Sequence, residues 1–486
     1  MARPRTAVVV GSGPNGLVGA LTLARAGLDV TVLEVADTIG GGTRSAALTL
    51  PGFVHDVCSA AHPLALASPA LRDIDWARHG VQFAQPEIPF GQPLDGGRAA
   101  LAHRSVEQTA AGLGRDGPAY HAIFAPLVRD ARPLVDAVFG SSFRPPVGHP
   151  GVIARFAARS LLPPTALGRL ARTEQAPALF AGAAAHAIRP LWTLPTTPYG
   201  LLLVTLAHAV GWPVVRGGSQ GIADALVAEL AAHDARVLTG RWVRTAADLP
   251  PADITLLDVS PRALTAIGGD DLPTGYARWL RRFRYGSGIC KVDYALSGPV
   301  PWANPELRRA GTVHVGGSWQ ELAVAEGQTA AGRHPDRPYV LTVQPGVVDA
   351  SRAPAGQHTL WTYCHVPNGS RVDMAERVTA QLERFAPGFT DLILDRAVAT
   401  AAQEGTRDPN YPGGDISTGA LSVWQTLARP VPRWDLHRVP SRRPGSTWLC
   451  SSATPPGPGV HGMCGQLAAT KALAAAGIPD SDGSGR

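Results

Sequence analysis

Residues 6–34 read TAVVVGSGPNGLVGALTLARAGLDVTVLE, and this stretch decides how the rest of the chain is understood. The β-branched run at 6–10 predicts a short strand. Residues 14–26 place Leu17, Ala20, Leu21 and Ala24 at helical spacing, and 29–33 are apolar and β-branched again. Strand, glycine turn, helix, strand is the order of a nucleotide-binding βαβ unit. Within it Gly11 permits the tight turn, Gly13 lets the backbone approach a pyrophosphate, and Gly16 lets the helix lie close to the strands; the helix N-terminus offers free amides and a positive dipole end. Glu34, eighteen residues past Gly16, closes the second strand. A carboxylate there accepts hydrogen bonds from an unphosphorylated ribose and repels a 2′-phosphate, so FAD or NAD is expected rather than NADP. A GxGxxG alone carries little; here the flanking strands, the helix and the acid carry it together.

Directly after the acid, residues 37–45 read DTIGGGTRS. A second glycine cluster, Gly40 to Gly42, followed by Arg44, can wrap the far side of the pyrophosphate and bring a cation to it, which is how a flavin dinucleotide is locked in. This stretch resembles the N-terminal signature of the FAD-dependent amine oxidase and phytoene desaturase superfamily.

Composition bounds the alternatives. A chain of 486 residues is too long for one core, and its 45% apolar content excludes disorder. Its lysines are Lys291 and Lys471, the rest of its 44 basic residues being arginine, so the net charge of +6 reflects arginine usage spread along the chain. The densest group, Arg278, Arg281, Arg282 and Arg284, is a short mixed segment that reads as a solvated helix face, and no nucleic acid partner is expected. Five cysteines with no CxxC give neither a disulfide framework nor a redox dithiol. The chain opens on no charged-then-apolar leader, so a cytoplasmic protein is expected. The longest apolar stretch, 201–210, is far short of the roughly twenty residues that span a bilayer; contact with a membrane would be peripheral.

The fold class expected is α/β with an α+β second domain: a Rossmann-like FAD-binding domain assembled from residues 1–75, 213–262 and 425–478, and a substrate domain of antiparallel sheet and helices from 76–212 and 263–424, with a frayed tail at 479–486. Residues 71–212 read as mostly helical stretches broken by prolines, with an apolar helix near 200–210. GGSQG at 217–221 starts the helix 222–232 but lacks GxGxxG order, so it reads as helix capping. Residues 289–296, 339–344 and 359–365 are strand-like, and 373–385 reads as a helix.

The second strong signal is TPPGPGVHGMCG at 454–465, after a strand at 448–452 and before a helix at 466–475. Glycines 457, 459, 462 and 465 let a backbone pass a flat ring, and the helix that follows points its positive end at the loop. The cofactor site is therefore bipartite, held by both ends of the chain.

Over nearly its whole length the chain resembles the bacterial phytoene desaturase-like flavoproteins, and most of all the branch of pyridine nucleotide-disulfide oxidoreductase domain-containing protein 2. The resemblance runs through GSGPNG, GGGTRS, PGFVHDVCSAAHP at 51–63, GWPVVRGGSQGIADAL at 211–226, YCHVPNGS at 363–370, NYPGGDI at 410–416 and the final loop. It implies a cofactor, FAD, held by Gly11, Gly13, Pro14, Asn15, Gly16, Glu34, Gly41, Gly42, Thr43 and Arg44, by the backbone of Val243 at the adenine, and by Ser452, Gly459, Val460, His461, Gly462 and Met463 around the ring. The family's final loop reads closer to GAGTHPGxGIPG; Ser451, Ser452 and His461 depart from it, which weakens any transfer of carotenoid chemistry.

His461, beside the flavin in that placement, is the first candidate acid or base, and His55 and Asp56, on opposite faces of a short strand, are the next. His365, Asn368, Tyr411, Asp415 and Trp424 are candidates for the pocket wall. No residue spacing fits a metal. The expected activity is that of an FAD-dependent oxidoreductase, a dehydrogenase, desaturase or isomerase acting on a small apolar unsaturated substrate by hydride transfer to the flavin N5, with oxygen or a quinone as electron acceptor. The alternatives are amine oxidase-like C–N oxidation and a flavin-holding regulatory protein with little turnover.

Overall fold

The computed structural model describes residues 5–140, 149–442 and 445–479; Pro145 and Pro146, and the expected frayed tail from 480 on, lie outside the described residues. The opening stretch folds as its periodicity dictates. Strand β1, Thr6–Val10, leads through the glycine turn into helix α1, Pro14–Arg25, and strand β2, Asp29–Leu33, lies parallel to β1. Leu17, Ala20, Leu21 and Ala24 are all buried, as the helical spacing requires.

Around this unit stands a six-stranded sheet in the order Arg438–Val439, Ser446–Leu449, Ile254–Leu257, β1, β2, Arg236–Leu238. It is parallel except at Arg438–Val439, which runs antiparallel to its neighbour. Segments from both ends and the middle of the chain thus build one nucleotide-binding sheet, the discontinuous α/β arrangement. Helix Gln220–Ala231 and helix Met463–Ala475 pack with α1 over the same apolar core.

A second, seven-stranded sheet has the order Ile393–Ala399, Gly288–Leu296, His358–Val366, Val340–Val343, Ala310–Val315, Ile88–Leu94, Arg98–Ala102. It is antiparallel apart from the contact of Ala310–Val315 with Ile88–Leu94. Helices Gln175–Ala185 and Thr196–Ala209 pack beside it.

Three readings need correction. The region 71–212 is not mostly helical at its start: IPFGQPL at Ile88–Leu94 is a fully buried strand whose two prolines, glycine and buried Gln92 hide the alternation that marks a strand with one wet face. The helix expected from 466 begins at Met463, so Gly465 lies in its first turn rather than in the loop. A side chain there would overlap the Asn15 carbonyl, so Gly465 is what lets this helix cross α1. Third, the domain boundary at 262/263 falls too early. Helices Pro261–Gly268 and Thr274–Arg281 bury Leu264, Ile267 and Leu280 with Val8, Leu33 and Leu257, on the nucleotide sheet.

Candidate functional site

At the C-terminal ends of β1, β2 and Ile254–Leu257 lies a cavity of about 140 Å³. It gathers, from distant parts of the chain, Gly11, Gly13, Pro14, Asn15, Glu34, Gly41, Gly42, Arg44, Val243 and Ser452. This is where ligands bind in open parallel sheets. Gly11 has φ +100°, a value closed to most side chains, and its amide donates to the Leu33 carbonyl at 2.8 Å, which ties the turn to the end of β2. A side chain on Gly16 would overlap the Gly11 carbonyl, so this glycine serves the turn from beneath rather than lining the cavity. Thr43 is likewise buried, its hydroxyl donating to the Gly40 carbonyl at 2.8 Å.

Glu34 is fixed before any ligand arrives. Its Oε2 accepts from the Ser12 amide at 2.8 Å and the Ser12 hydroxyl at 2.6 Å, and its Oε1 from the Ala36 amide at 2.9 Å. A second acid, Asp258, follows Ile254–Leu257 and lines the same cavity. Its Oδ2 accepts from the Gly16 amide at 2.9 Å, and burial pushes its carboxyl up to about 7, with the Gly16 hydrogen bond pulling the other way. Sequence reasoning missed Asp258, although an acid ending a strand beside the glycine turn was there to be seen.

A second cavity, of about 220 Å³, meets the first at Pro14, Asn15, Gly42, Tyr411 and Ser452. Its wall includes Gly42, Ser59, Gly459 and Val460 and an aromatic group of His186, Trp212, Trp361 and Tyr363 with Thr312. Thr312, Trp361 and Tyr363 belong to the seven-stranded sheet, so that sheet and the glycine loops share this space. Among the described residues, no Asp, Glu, Lys or Arg lines this space. A side chain on Gly42 would overlap the Tyr411 hydroxyl, and both residues line both cavities.

Outward from it, past Leu64, Tyr199, Leu203 and Pro458, lies a third cavity of about 390 Å³ walled by Phe139, Phe156, Leu194, Leu202, Leu421 and Leu427. It is almost wholly apolar. The helical insertion supplies most of that wall.

Behind the aromatic side sits a buried ionic cluster. Lys291, on Gly288–Leu296, pairs with Asp293, and its ammonium lies 5.5 Å from the centre of the Trp361 ring. Burial pushes the Asp293 carboxyl up to about 6 against the pull of Lys291. Lys291 is a residue that sequence reasoning counted and passed over; its scarcity among so many arginines was the available signal.

The candidate acids and bases fall elsewhere than expected. His461 is buried with both ring nitrogens used inside its own loop: Nδ1 accepts from the Met463 amide at 3.0 Å, so Nε2 carries the proton and donates to the Gly457 carbonyl at 3.1 Å. Its ring stacks on Phe139 at 4.9 Å, and burial lowers its pKa to about 4. It lines neither the nucleotide nor the inner cavity, and nor do Gly462 and Met463, which start the final helix. In this structure His461 holds its own loop, with both ring nitrogens engaged there.

His55 and Asp56 sit on a two-residue strand, and neither lines either of these two cavities. His55 Nε2 bonds the Thr49 hydroxyl at 2.8 Å, its Nδ1 lies 3.6 Å from Asp293, and burial holds it neutral with a pKa of about 3. Asp56 accepts from Ser45, from the Ser219 amide and from Arg352, the last at 3.1 Å. It thereby fastens GGSQG to the strand, a structural duty that competes with catalysis. Of the remaining candidates, Tyr411 lines both cavities. Asp415 accepts from the amides of Gly286, Ser417 and Gly419, Asn368 donates to the carbonyls of Gly286 and Pro412, and His365 pairs with Glu326 at 2.8 Å. Trp424 is 59% exposed.

Comparison with known proteins agrees with this geometry. The model of the NAD(P)-binding Rossmann-like domain matches residues 9–74. Pyridine nucleotide-disulfide oxidoreductase domain-containing protein 2 of Rattus norvegicus is 26% identical over 557 aligned positions, covering 95% of this chain and 92% of that protein. Hydroxyneurosporene desaturase of Cereibacter sphaeroides is 29% identical over 249 positions, 45% of this chain and 46% of that one. The structure of putrescine oxidase bound to putrescine superposes with a TM-score of 0.59 at 17% identity, covering 97% of this chain and 99% of that one, which shows the shared fold. The chain thus carries a NAD(P)-binding Rossmann-like domain and is similar over nearly its whole length to pyridine nucleotide-disulfide oxidoreductase domain-containing protein 2, with the fold seen in putrescine oxidase.

Proposed function

We propose that the chain binds FAD and dehydrogenates, desaturates or isomerises an elongated, apolar, unsaturated substrate. The observation that carries this reading is the joined pair of cavities: a glycine-walled space continuous with the nucleotide cavity, leading into a larger apolar one. The dinucleotide fits the residues present. Asn15 Oδ1 is buried without a hydrogen-bond partner where the two cavities meet, as a group that awaits a ligand donor would be. In this reading Glu34 would meet the ribose, and the amides at the start of α1 with Arg44 would meet the pyrophosphate. Val243, on the nucleotide cavity, would lie at the adenine end, and Ser452, Gly459 and Val460 at the ring end.

When bound, the isoalloxazine would take a hydride from a substrate carbon. This chain's residues do the rest. Trp361 and Tyr363 present flat apolar faces that orient an extended chain, and the leucines and phenylalanines of the outer cavity exclude water from it. A cationic amine would find no carboxylate in the inner cavity and would lose its hydration uncompensated, which favours the apolar substrate over C–N oxidation. Leu194, Val423 and Leu427 are exposed at the outer cavity and fit entry of such a substrate from a lipid surface; among the described residues no helix is long and apolar enough to cross a membrane. Oxygen or a quinone would then take the electrons.

In domain terms the nucleotide-binding part gains residues 263–283, and the substrate-binding part is 76–212 with 284–424. The test is anaerobic mixing of the FAD-loaded protein with polyenes and with amines. Bleaching of the flavin by a polyene supports the reading. Bleaching by amines alone, or a purified chain that neither carries FAD nor takes it up, overturns it.

A further inference from the structure

Among the described residues two arginines are fully buried, Arg352 and Arg429, and only the first is neutralised. Arg352 pairs with both Asp56 and Asp349. Arg429 forms no ion pair with any described residue. Its Nη2 donates to the Thr418 carbonyl at 3.0 Å and reaches the Ser417 carbonyl at 3.5 Å; its Nε is buried without a partner, and no hydrogen bond among the described residues engages its Nη1. Burial pulls against the charge, but a guanidinium does not give up its proton at ordinary pH, so the charge stays.

The groups whose charge acts on Arg429 are Cys464, Asp415 and Tyr199. Burial pushes the Cys464 thiol up to about 11 and the Tyr199 hydroxyl up to about 12, so both are neutral near pH 7. Asp415 is engaged by the amides of Gly286, Ser417 and Gly419 and does not reach the guanidinium as an ion pair. A buried cation left this bare is costly to hold, and it is best placed where negative charge arrives or develops.

Its surroundings say where that is. Nη1 lies 3.1 Å from the place a Cβ on Gly457 would take, two residues before Gly459 in the final glycine loop. Ser417 and Pro458 line the inner cavity, Tyr199 lines the inner and the outer, and Thr418 lines the nucleotide cavity. The guanidinium therefore stands directly behind the wall of the inner cavity. With no charged residue on that wall among those described, its field reaches the cavity through a poorly polarisable medium.

Resting on the FAD reading above, we propose that Arg429 is the counter-charge of the reduced flavin, a fixed cation behind the glycine loop that stabilises the negative charge the ring system acquires on reduction. The balance is that of a dehydrogenation. One substrate carbon gives up a hydride with both electrons of its C–H bond, its neighbour gives up a proton to water, and the ring, richer by two electrons and one proton, is left with one negative charge. Arg429 acts through its field and touches no substrate.

The test is the two-electron reduction potential of the FAD-loaded protein, measured anaerobically against reference dyes from about pH 5.5 to 8. A ring reduced to its anion takes up one proton with two electrons, so its potential falls by about 30 mV per pH unit; a ring reduced to the neutral form takes up two protons and falls about twice as steeply. The wild-type protein is expected to keep the shallow slope over the whole range, and a steep slope overturns the proposal without any variant. Arg429→Gln, which can still donate to the Thr418 carbonyl, is expected to make reduction about tenfold less favourable at pH 7.5, about 30 mV lower, and Arg429→Lys, which keeps the charge, to stay within about threefold of wild type. A merely structural arginine would lower the melting temperature of both variants and leave the potential of Arg429→Gln where it was, which also overturns the proposal. A chain that neither carries FAD nor takes it up defeats the flavin reading itself; FAD bound with a steep slope or an unmoved potential defeats this inference alone.

Discussion

The Oδ2 of Asp258 and the amide of Gly16 are 2.9 Å apart, so a carboxyl group occupies the helix end that the glycine turn presents to a pyrophosphate. Both groups lie in the part of the molecule where a polyphosphate would add negative charge. The neutral acid, with its proton on the other oxygen, keeps the Gly16 contact without repelling the ligand. The carboxylate keeps the contact and repels it.

That arrangement sets a pH dependence. Folded Asp258 titrates near 7 against 3.8 for an ordinary aspartate, so the folded state holds a proton that the unfolded state has released between those values. Stability contributed by this group is full below about 4 and is lost as the pH rises through 7. Asp258→Asn, which still accepts from Gly16, should raise the melting temperature by several degrees at pH 8 and leave it nearly unchanged at pH 4. Calorimetry at the two pH values checks this, and FAD affinity should lose its fall above pH 7 in the same variant.

Gly465→Val should be among the most damaging single changes in the chain. The added side chain meets the Asn15 carbonyl where α1 and Met463–Ala475 cross. Forcing them apart is expected to cost about 3 kcal/mol or more and to abolish FAD retention; urea unfolding and the flavin content of the purified variant measure both.

His461→Ala tests the reassignment of that residue. Loss of the Met463 and Gly457 bonds and of the Phe139 contact should destabilise by about 2 kcal/mol and loosen FAD. The rate of flavin reduction in protein kept saturated with FAD should stay within about threefold of wild type. A drop of a hundredfold in stopped-flow reduction would return His461 to the chemistry.

Lys291 and Asp293 form a buried pair in which each partner depends on the other. Lys291→Met alone should cost about 3–5 kcal/mol, because Asp293 is left uncompensated, and Lys291→Met with Asp293→Leu should recover most of it. Denaturant unfolding of the two variants separates the pair's net worth from the penalty of breaking it.

Asp56→Asn keeps a hydrogen-bonding group but removes the charge facing Arg352, which is fully buried and also bonded to Asp349 at 2.9 Å. The loss should appear as about 2–4 kcal/mol of stability, with flavin reduction by substrate preserved in the folded fraction. Thermal melts alongside single-turnover reduction check the two halves.

The nucleotide half of the site was legible in the sequence because it is local. Gly11 to Glu34 contains its own strand, turn, helix and acid, and residues that near in sequence can meet only one way. Arg44 and the final glycine loop are short motifs too, and of them Arg44, Gly459 and Val460 line the cavities while His461, Gly462 and Met463 do not. What escaped was long-range. Asp258 matters through Gly16, and Lys291 through Asp293 and Trp361; no spacing along the chain announces such meetings. His461 misled because a motif places a side chain in a neighbourhood without saying where its ring nitrogens point. The strand Ile88–Leu94 was hidden because burial on both faces erases alternation.

The crossing of α1 with Met463–Ala475 also bears on how the protein comes into being. Its first helix shares a core with β1, β2 and helix Gln220–Ala231, but the helix that crosses it at Gly465 emerges some 440 residues later. At roughly 5–20 residues per second that is a wait on the order of half a minute, during which the side of α1 that meets Met463–Ala475 has no permanent cover. The nascent chain therefore passes through a sticky, cofactor-free stage, and the glycine that closes the crossing sets the moment at which that stage ends.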